Sequence, residues 1–391
     1  MCRVWAKTYF CIHTGANKQE EKTEPTTEKY RSEDLQKEIE NKKEKYETAL
    51  REGGVAGLWQ VLEEEKNEWK TQKVNLAITG RAGTGKSSFI NALVKKWTGT
   101  RPAKVGVTET TMECVSYAHP NNPNIILWDL PGVGTENFLQ ESYLAKVNVD
   151  LFDVFIIMTE GRFTEHDTWL AKAMQKRKKP VIFVRTKIHF DVKNSKHDYP
   201  EKDEKTVLNE VKADMNANCA KFVEAFGVFL IDNHKSDKYE FSDLEKCITE
   251  KLSDSKGQVL AFSVSSRSRD ALKLKVNALR KQIRGINIFF YIKFVLSNML
   301  SGITEESFVE RYASFYVKRF SLDDKSLEPL RTINPTKVNS VKRQVNEVVA
   351  DIPSITERCS SQFPVNFATK ALDEILKRLE KIALEAIDVV N

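Results

Sequence analysis

From Val74 onward the chain alternates short apolar runs with longer amphipathic ones. Val74-Asn75-Leu76-Ala77-Ile78-Thr79 has the length and β-branched content of a buried strand, and it runs into Gly80. Comparable runs recur at Cys114 to Ala118, Asn124 to Asp129, Val154 to Met158, Val181 to Val184 and Val228 to Ile231. Stretches with helical spacing lie between most of them, at Lys86 to Trp97, Glu165 to Lys176 and Glu204 to Phe226. Short strands alternating with amphipathic helices predict an α/β layer structure. Only a short turn, around His119-Pro120-Asn121-Asn122-Pro123, separates the second run from the third, which predicts one antiparallel hairpin in an otherwise parallel sheet.

The flanks read differently. Gly15 to Arg31 is polar, rich in Glu, Lys and Thr, and predicts a flexible lead-in. Ser32 caps a predicted helix carrying Leu35, Ile39 and Tyr46, which Gly53-Gly54 breaks; a second helix carries Leu58, Trp59, Leu62 and Trp69. After about Ser253 the strand pattern stops, and Arg267 to Arg284, Glu305 to Phe320, Val338 to Val349 and Phe367 to Ile387 have helical spacing. The expected divisions are therefore 1–31, 32–73, 74–253 and 254–391. Ile286 to Leu300 is the most apolar helical stretch, read as a core helix, with contact to a membrane surface as the minority reading.

Composition narrows the class. Of 391 residues, 41% are apolar and 30% charged, enough to build a sizeable core under a polar surface. Lys and Arg number 61 against 55 Asp and Glu, a nearly balanced mixture that gives little support to nucleic-acid binding and modest support to transient contact with anionic membrane. The run Lys176-Arg177-Lys178-Lys179 reads as a helix C-terminus whose cations complement the dipole. None of Cys2, Cys11, Cys114, Cys219, Cys247 and Cys359 has metal-site spacing, and they read as reduced thiols. The first residues lack a secretory pattern and a Gly at position 2, and the last lack a prenylation box. The expected location is cytoplasmic, with peripheral association with intracellular membranes.

Gly80-Arg81-Ala82-Gly83-Thr84-Gly85-Lys86-Ser87 fits G-x-x-x-x-G-K-[ST] between a strand and a helix. In such a loop the backbone N–H groups close around phosphate oxygens, Lys86 supplies charge to the β- and γ-phosphates, and the Ser87 hydroxyl ligates Mg²⁺. These eight residues and the adjoining Ser88 are candidate contacts to GTP or GDP. Asp129-Leu130-Pro131-Gly132 ends another strand, with Asp129 placed to hold Mg²⁺ and the Gly132 N–H to sense the γ-phosphate. Together the two motifs imply a GTPase-like switch. Between them, Gly106-Val107-Thr108-Glu109-Thr110-Thr111 offers a first switch threonine; Thr111 is the first choice for Mg²⁺ and γ-phosphate, and Thr108 the second.

The base-reading loop should carry [NT]-K-x-D, and the chain has Thr186-Lys187-Ile188-His189. Lys187 can stack along the base. A carboxylate accepts from both guanine N1–H and the 2-amino group, whereas neutral imidazole has one acceptor nitrogen. Asp191, Asp232 or Asn233, the last two in the loop Ile231-Asp232-Asn233-His234, are alternative acceptors.

Several segments resemble the immunity-related, interferon-inducible GTPases: Gly80 to Asn91, Gly106 to Glu113, Trp128 to Thr135 with Asn137-Phe138 and Tyr143-Leu144, Phe183 to Lys187 and, more weakly, Phe320 to Leu330. Lys86 places the chain with the family members that carry Lys rather than Met in the phosphate loop. The resemblance implies a Ras-like P-loop GTPase domain with a mixed, mostly parallel sheet, plus a helical domain built from N- and C-terminal helices. It implies GTP binding, slow hydrolysis and nucleotide-dependent self-assembly through the GTPase domains. It also implies action at intracellular or pathogen-containing membranes in cell-autonomous immunity. It matches Glu109 to a switch glutamate in the dimer interface. With Val133 where a water-orienting Gln could stand, Lys86, Glu109 and Thr111 are the catalytic candidates. A rival reading, carried by His189, is a nucleotide-gated or nucleotide-free regulatory binding protein without guanine selectivity; a membrane-shaping protein without turnover is a third.

Overall fold

The computed structural model describes residues 25–98, 114–133, 140–220, 227–264, 268–295, 305–362 and 367–387. Two compact units divide the chain at Val61/Leu62. The first is helical. Helix α1 (Pro25–Asn67) starts seven residues before Ser32, inside the segment expected to be flexible. Its Glu and Lys residues are strong helix formers, and proline is tolerated in a first turn, where its missing N–H has no intrahelical partner. The expected break is present: Gly54 has φ 58° and ψ −151°. Beyond it, a Cβ on Gly57 would lie 2.6 Å from the Ala49 carbonyl oxygen, so this close approach needs a residue without a side chain. Tyr46, Leu50 and Leu58 are buried.

The second unit holds a six-stranded sheet in the order β2-β3-β1-β4-β5-β6. Its strands are β1 (Val74–Gly80), β2 (Val115–His119), β3 (Asn122–Asp129), β4 (Val154–Thr159), β5 (Val181–Arg185) and β6 (Val228–Leu230). β1 pairs in parallel with β3 (Val74 opposite Ile125) and with β4 (Leu76 opposite Val154), while β2 runs antiparallel to β3. This mixed, mostly parallel order is the Ras-like P-loop GTPase arrangement. β1 and β4 are buried along their whole length, as expected of central parallel strands covered on both faces.

Helices α2 (Lys86–Thr98), α3 (Gln140–Lys146), α4 (Glu165–Lys176), α5 (Ile188–Asp198), α6 (Glu204–Ala220) and α7 (Phe241–Lys251) connect and follow the strands. α4 starts on a capping box: the Asp167 N–H donates to the Thr164 hydroxyl, and the Asp167 carboxylate accepts from the Thr164 N–H. The sequence reading passed over α3, α5 and α7, which are short and dense in charge.

The later helices are α8 (Asp254–Ser263), α9 (Arg269–Val295), α10 (Glu305–Arg319), α11 (Asp324–Leu327), α12 (Pro335–Ala350), α13 (Ile352–Gln362) and α14 (Phe367–Ile387). α9 runs unbroken through the two stretches expected to be separate. Within its apolar part Phe289 is 2% exposed and stacks on Phe308 of α10 at 5.3 Å, which supports the core reading for that residue. α14 buries Leu372, Ile375, Leu376 and Leu379 completely. Among the described residues no helix is long and apolar enough to cross a membrane.

A cationic and aromatic layer joins the turn before β1 to α8 and α10. The Arg319 guanidinium lies 4.8 Å from the Trp69 ring, 5.3 Å from Phe315 and 5.7 Å from Phe262. Lys275 donates to the Arg319 carbonyl at 3.0 Å, and burial pushes its ammonium down to about 7.

Candidate functional site

The site lies where β1, β3, β5 and β6 end, and its phosphate-loop half follows from backbone geometry. β1 terminates at Gly80 with φ 145°, where a Cβ would meet the Met158 carbonyl oxygen at 2.2 Å. Gly83 and Gly85 also have positive φ, 81° and 86°. The Thr84 hydroxyl donates back to the Arg81 carbonyl at 2.8 Å, closing the loop on itself. α2 then begins, with the Phe89 N–H on the Gly85 carbonyl at 2.8 Å. The loop N–H groups and the helix N-terminus make an anion-binding concavity. Lys86 folds into this concavity, its ammonium 3.0 Å from the Gly80 carbonyl and 3.4 Å from that of Arg81. Arg81, Ala82 and Gly83 are exposed, and Ser88 is partly buried.

The Asp129 loop is locked to this one. Asp129 is 1% exposed and accepts from the Ser87 hydroxyl at 2.6 Å. A Cβ on Gly132 would come within 2.9 Å of the Gly80 carbonyl, so the two loops approach at glycine on both sides. Between Asp129 and Gly132, the Pro131 carbonyl accepts from the Tyr143 hydroxyl at 3.0 Å and from the Thr79 hydroxyl at 3.3 Å. Burial pushes the Tyr143 phenol far up, so it stays a donor. A hydroxyl and a carboxylate in contact are hard oxygen donors of the kind Mg²⁺ takes. Among the described residues no cluster of three or more His, Cys, Asp or Glu is placed to hold a metal, so this pair would act together with phosphate oxygens.

The base-reading half is built from side chains. The Thr186 hydroxyl, fully buried, donates to the Thr84 carbonyl at 2.8 Å and ties this loop to the phosphate loop. Asn233 does the same from the β6 side, its amide donating to the Gly85 carbonyl at 3.0 Å. Lys187 has φ 57°, a left-handed conformation that turns the chain from β5 into α5, and its ammonium pairs with Glu160. Both side chains of that pair are largely exposed, so it is worth little and a ligand could displace it. His189 sits with Nδ1 3.0 Å from the buried Asp232 carboxylate. The approach is close but is not aligned as a directed hydrogen bond.

The structure thus brings together Gly80 to Ser88, Asp129, Gly132, Thr186, Lys187, His189 and Asn233. Thr108, Glu109 and Thr111 lie outside the described residues. Asp191 does not join the site: Arg185 forks onto both of its carboxylate oxygens at 2.7 and 3.2 Å. Glu160 had no sequence signal, being remote in sequence from Lys187, and Arg185 appeared only within the Phe183–Lys187 segment, with nothing to mark its pairing with Asp191.

With this geometry in place, comparisons with known proteins are consistent among themselves. The model of the interferon-inducible GTPase (IIGP) family matches residues 39–370. Interferon-inducible GTPase 1 of Mus musculus is 30% identical over 333 residues, covering 80% of this chain and 78% of that protein. Interferon-gamma-inducible GTPase 10 of the same organism is 31% identical over 293 residues, covering 72% of this chain and 68% of that protein. The T-cell-specific guanine nucleotide triphosphate-binding protein 2, also of Mus musculus, is 32% identical over 288 residues, covering 72% and 68%.

Proposed function

Because the chain belongs to the interferon-inducible GTPase family, we propose that it binds GTP with Mg²⁺ at the Gly80–Ser87 loop and hydrolyses it as a self-assembling, dynamin-like switch. The observation that carries the reading is the 2.6 Å contact between Ser87 and Asp129, which couples the phosphate loop to the loop that responds to the γ-phosphate. Backbone N–H groups of the loop cradle the phosphates, and Lys86 turns its ammonium from the Gly80 and Arg81 carbonyls onto the β- and γ-phosphate oxygens. Ser87 and Asp129 would hold Mg²⁺, with Thr111, or else Thr108, completing the set from the first switch; a cation held there would supply positive charge against the phosphate oxygens. Gly132 offers its N–H to the γ-phosphate, and Lys187 leaves Glu160 to lie along the base.

Val133 supplies no group to orient the attacking water. We therefore assign that help to a second copy, with Glu109 at the contact between GTPase domains. Phosphate release per molecule, followed from dilute to concentrated protein, should rise steeply and be lost in Lys86→Ala. A rate that stays flat would remove the self-activation. Action at intracellular or pathogen-containing membranes in cell-autonomous immunity is part of the same proposal. It calls for salt-sensitive sedimentation with anionic liposomes, stronger with GTP than with GDP. Absence of sedimentation in every nucleotide state would remove it.

A further inference from the structure

Four side chains could stand in for the carboxylate missing at position 189, and the structure leaves one. Asp191 has both oxygens on Arg185, a guanidinium whose side chain is only 11% exposed. Asn233 is committed to the phosphate loop, its amide on Gly85, and its Oδ1 is buried. Asp232 is 1% exposed; one oxygen accepts from the His234 N–H at 2.9 Å and the other faces His189 Nδ1. His189 alone presents an edge, with 29% of its side chain exposed while Nδ1 is buried. The exposed nitrogen is therefore Nε2. The Phe190 ring, 4.2 Å away centroid to centroid, packs against the imidazole.

The contact with Asp232 decides what Nε2 can do. With a carboxylate oxygen 3.0 Å from Nδ1, electrostatics favour the tautomer that carries its proton on Nδ1 over the one that leaves a lone pair there. In the neutral ring Nε2 is then an acceptor, and a single one. Resting on the reading of this site as a nucleotide site, we propose that His189 reads the base through Nε2 alone, in a tautomer set by Asp232 as a positioning residue. The chain would thereby accept 6-oxopurine nucleotides as a class, inosine as well as guanosine. Both bases bring an N1–H donor to Nε2. The 2-amino group that distinguishes guanine meets no second acceptor, so its loss costs nothing here. Adenine brings a lone pair at N1, which Nε2 rejects.

The test is displacement of a fluorescent GDP analogue from the full chain by GTP, ITP and ATP. GTP and ITP should compete within about threefold of each other, with ATP at least about tenfold weaker. His189→Asp should open the GTP-over-ITP gap to about tenfold to hundredfold, the worth of one hydrogen bond to a charged acceptor. Imidazole ¹⁵N spectra, assigned through His189→Gln, should show protonated Nδ1 and bare Nε2 in the native chain. That signature should shift in Asp232→Asn, which should weaken GTP and ITP alike. A native preference of tenfold or more for GTP over ITP would mean a second acceptor and overturn the proposal while leaving the nucleotide site standing. ATP competing as well as GTP would place a proton on Nε2 and overturn it too. Failure of every nucleotide to bind would take down the site itself, and the proposal with it.

Discussion

The phosphate half and the base half of the candidate site sit at the same end of the sheet and are tied together by Thr186 and Asn233, yet they are built on different principles. The phosphate half is mostly main chain. Gly80, Gly83 and Gly85 set the path, and Ser87 and Asp129 are in direct contact. The base half is mostly side chain, and its pieces come from α5, the loop after β6 and the end of β4. A loop made of backbone amides tolerates few changes in sequence, because the path needs residues without a side chain. A recognition edge made of side chains can be rebuilt from another loop, which is the role proposed for His189 beside Asp232. A backbone-defined half and a side-chain-defined half therefore lie next to each other in one site.

The strongest way to break this comparison is at Lys86. Its loss should strike every nucleotide equally, whatever the base. In Lys86→Ala, the affinities for GTP, ITP and GDP should each fall about a hundredfold, the upper range for a charged hydrogen bond. Fluorescence titration with circular dichroism unchanged would check it. A loss confined to one base would mean that the halves are not separable. Next in size is Glu109→Ala, which should lower turnover at high protein concentration at least about tenfold while leaving GTP affinity within about twofold. Turnover at native level would remove Glu109 from the reaction.

Smaller effects sharpen the base half. His189→Asp restores the two-oxygen acceptor and should tighten GTP about tenfold without changing the affinity for ATP, measured by competition. An unchanged GTP affinity would mean that this loop does not read the base. Asp191→Ala should have the smallest effect on binding, with GTP and ATP affinities within about twofold of native. It should instead lower thermal stability by about 1–3 kcal/mol, because Arg185 is left poorly solvated without its partner. A collapse of base preference in Asp191→Ala would put Asp191 in the site after all.

The same division explains what was legible from the chain alone. β1, β4 and β5 were readable because buried parallel strands are continuous apolar runs, and the antiparallel β2–β3 pair because its turn is too short for a crossover. The phosphate loop was readable because glycine spacing is a backbone requirement. α5 was missed because a short, charged helix with weak periodicity forms by packing on the sheet; α7 was missed although Phe241, Leu244 and Ile248 are buried at helical spacing, a signal the sequence did carry. The start of α1 was misread because a Glu/Lys-rich segment suits a helix as well as it suits a coil. His189 was seen as a departure, with Asp232 only one of several alternatives, because the distance between positions 189 and 232 is a property of the fold. The pairings of Glu160 and Arg185 were invisible for the same reason.

The clamp on Pro131 has a mechanical consequence. Two hydroxyls from different elements, Thr79 on β1 and Tyr143 on α3, hold one carbonyl at the mouth of the Asp129 loop. A strand end fastened on two sides is a fixed leaf. Moving the Pro131 carbonyl away would cost both hydrogen bonds, so this part of the loop is held to the sheet. Cutting one tether, as in Tyr143→Phe, would leave this carbonyl held from β1 alone, while the sheet beneath stayed as it is.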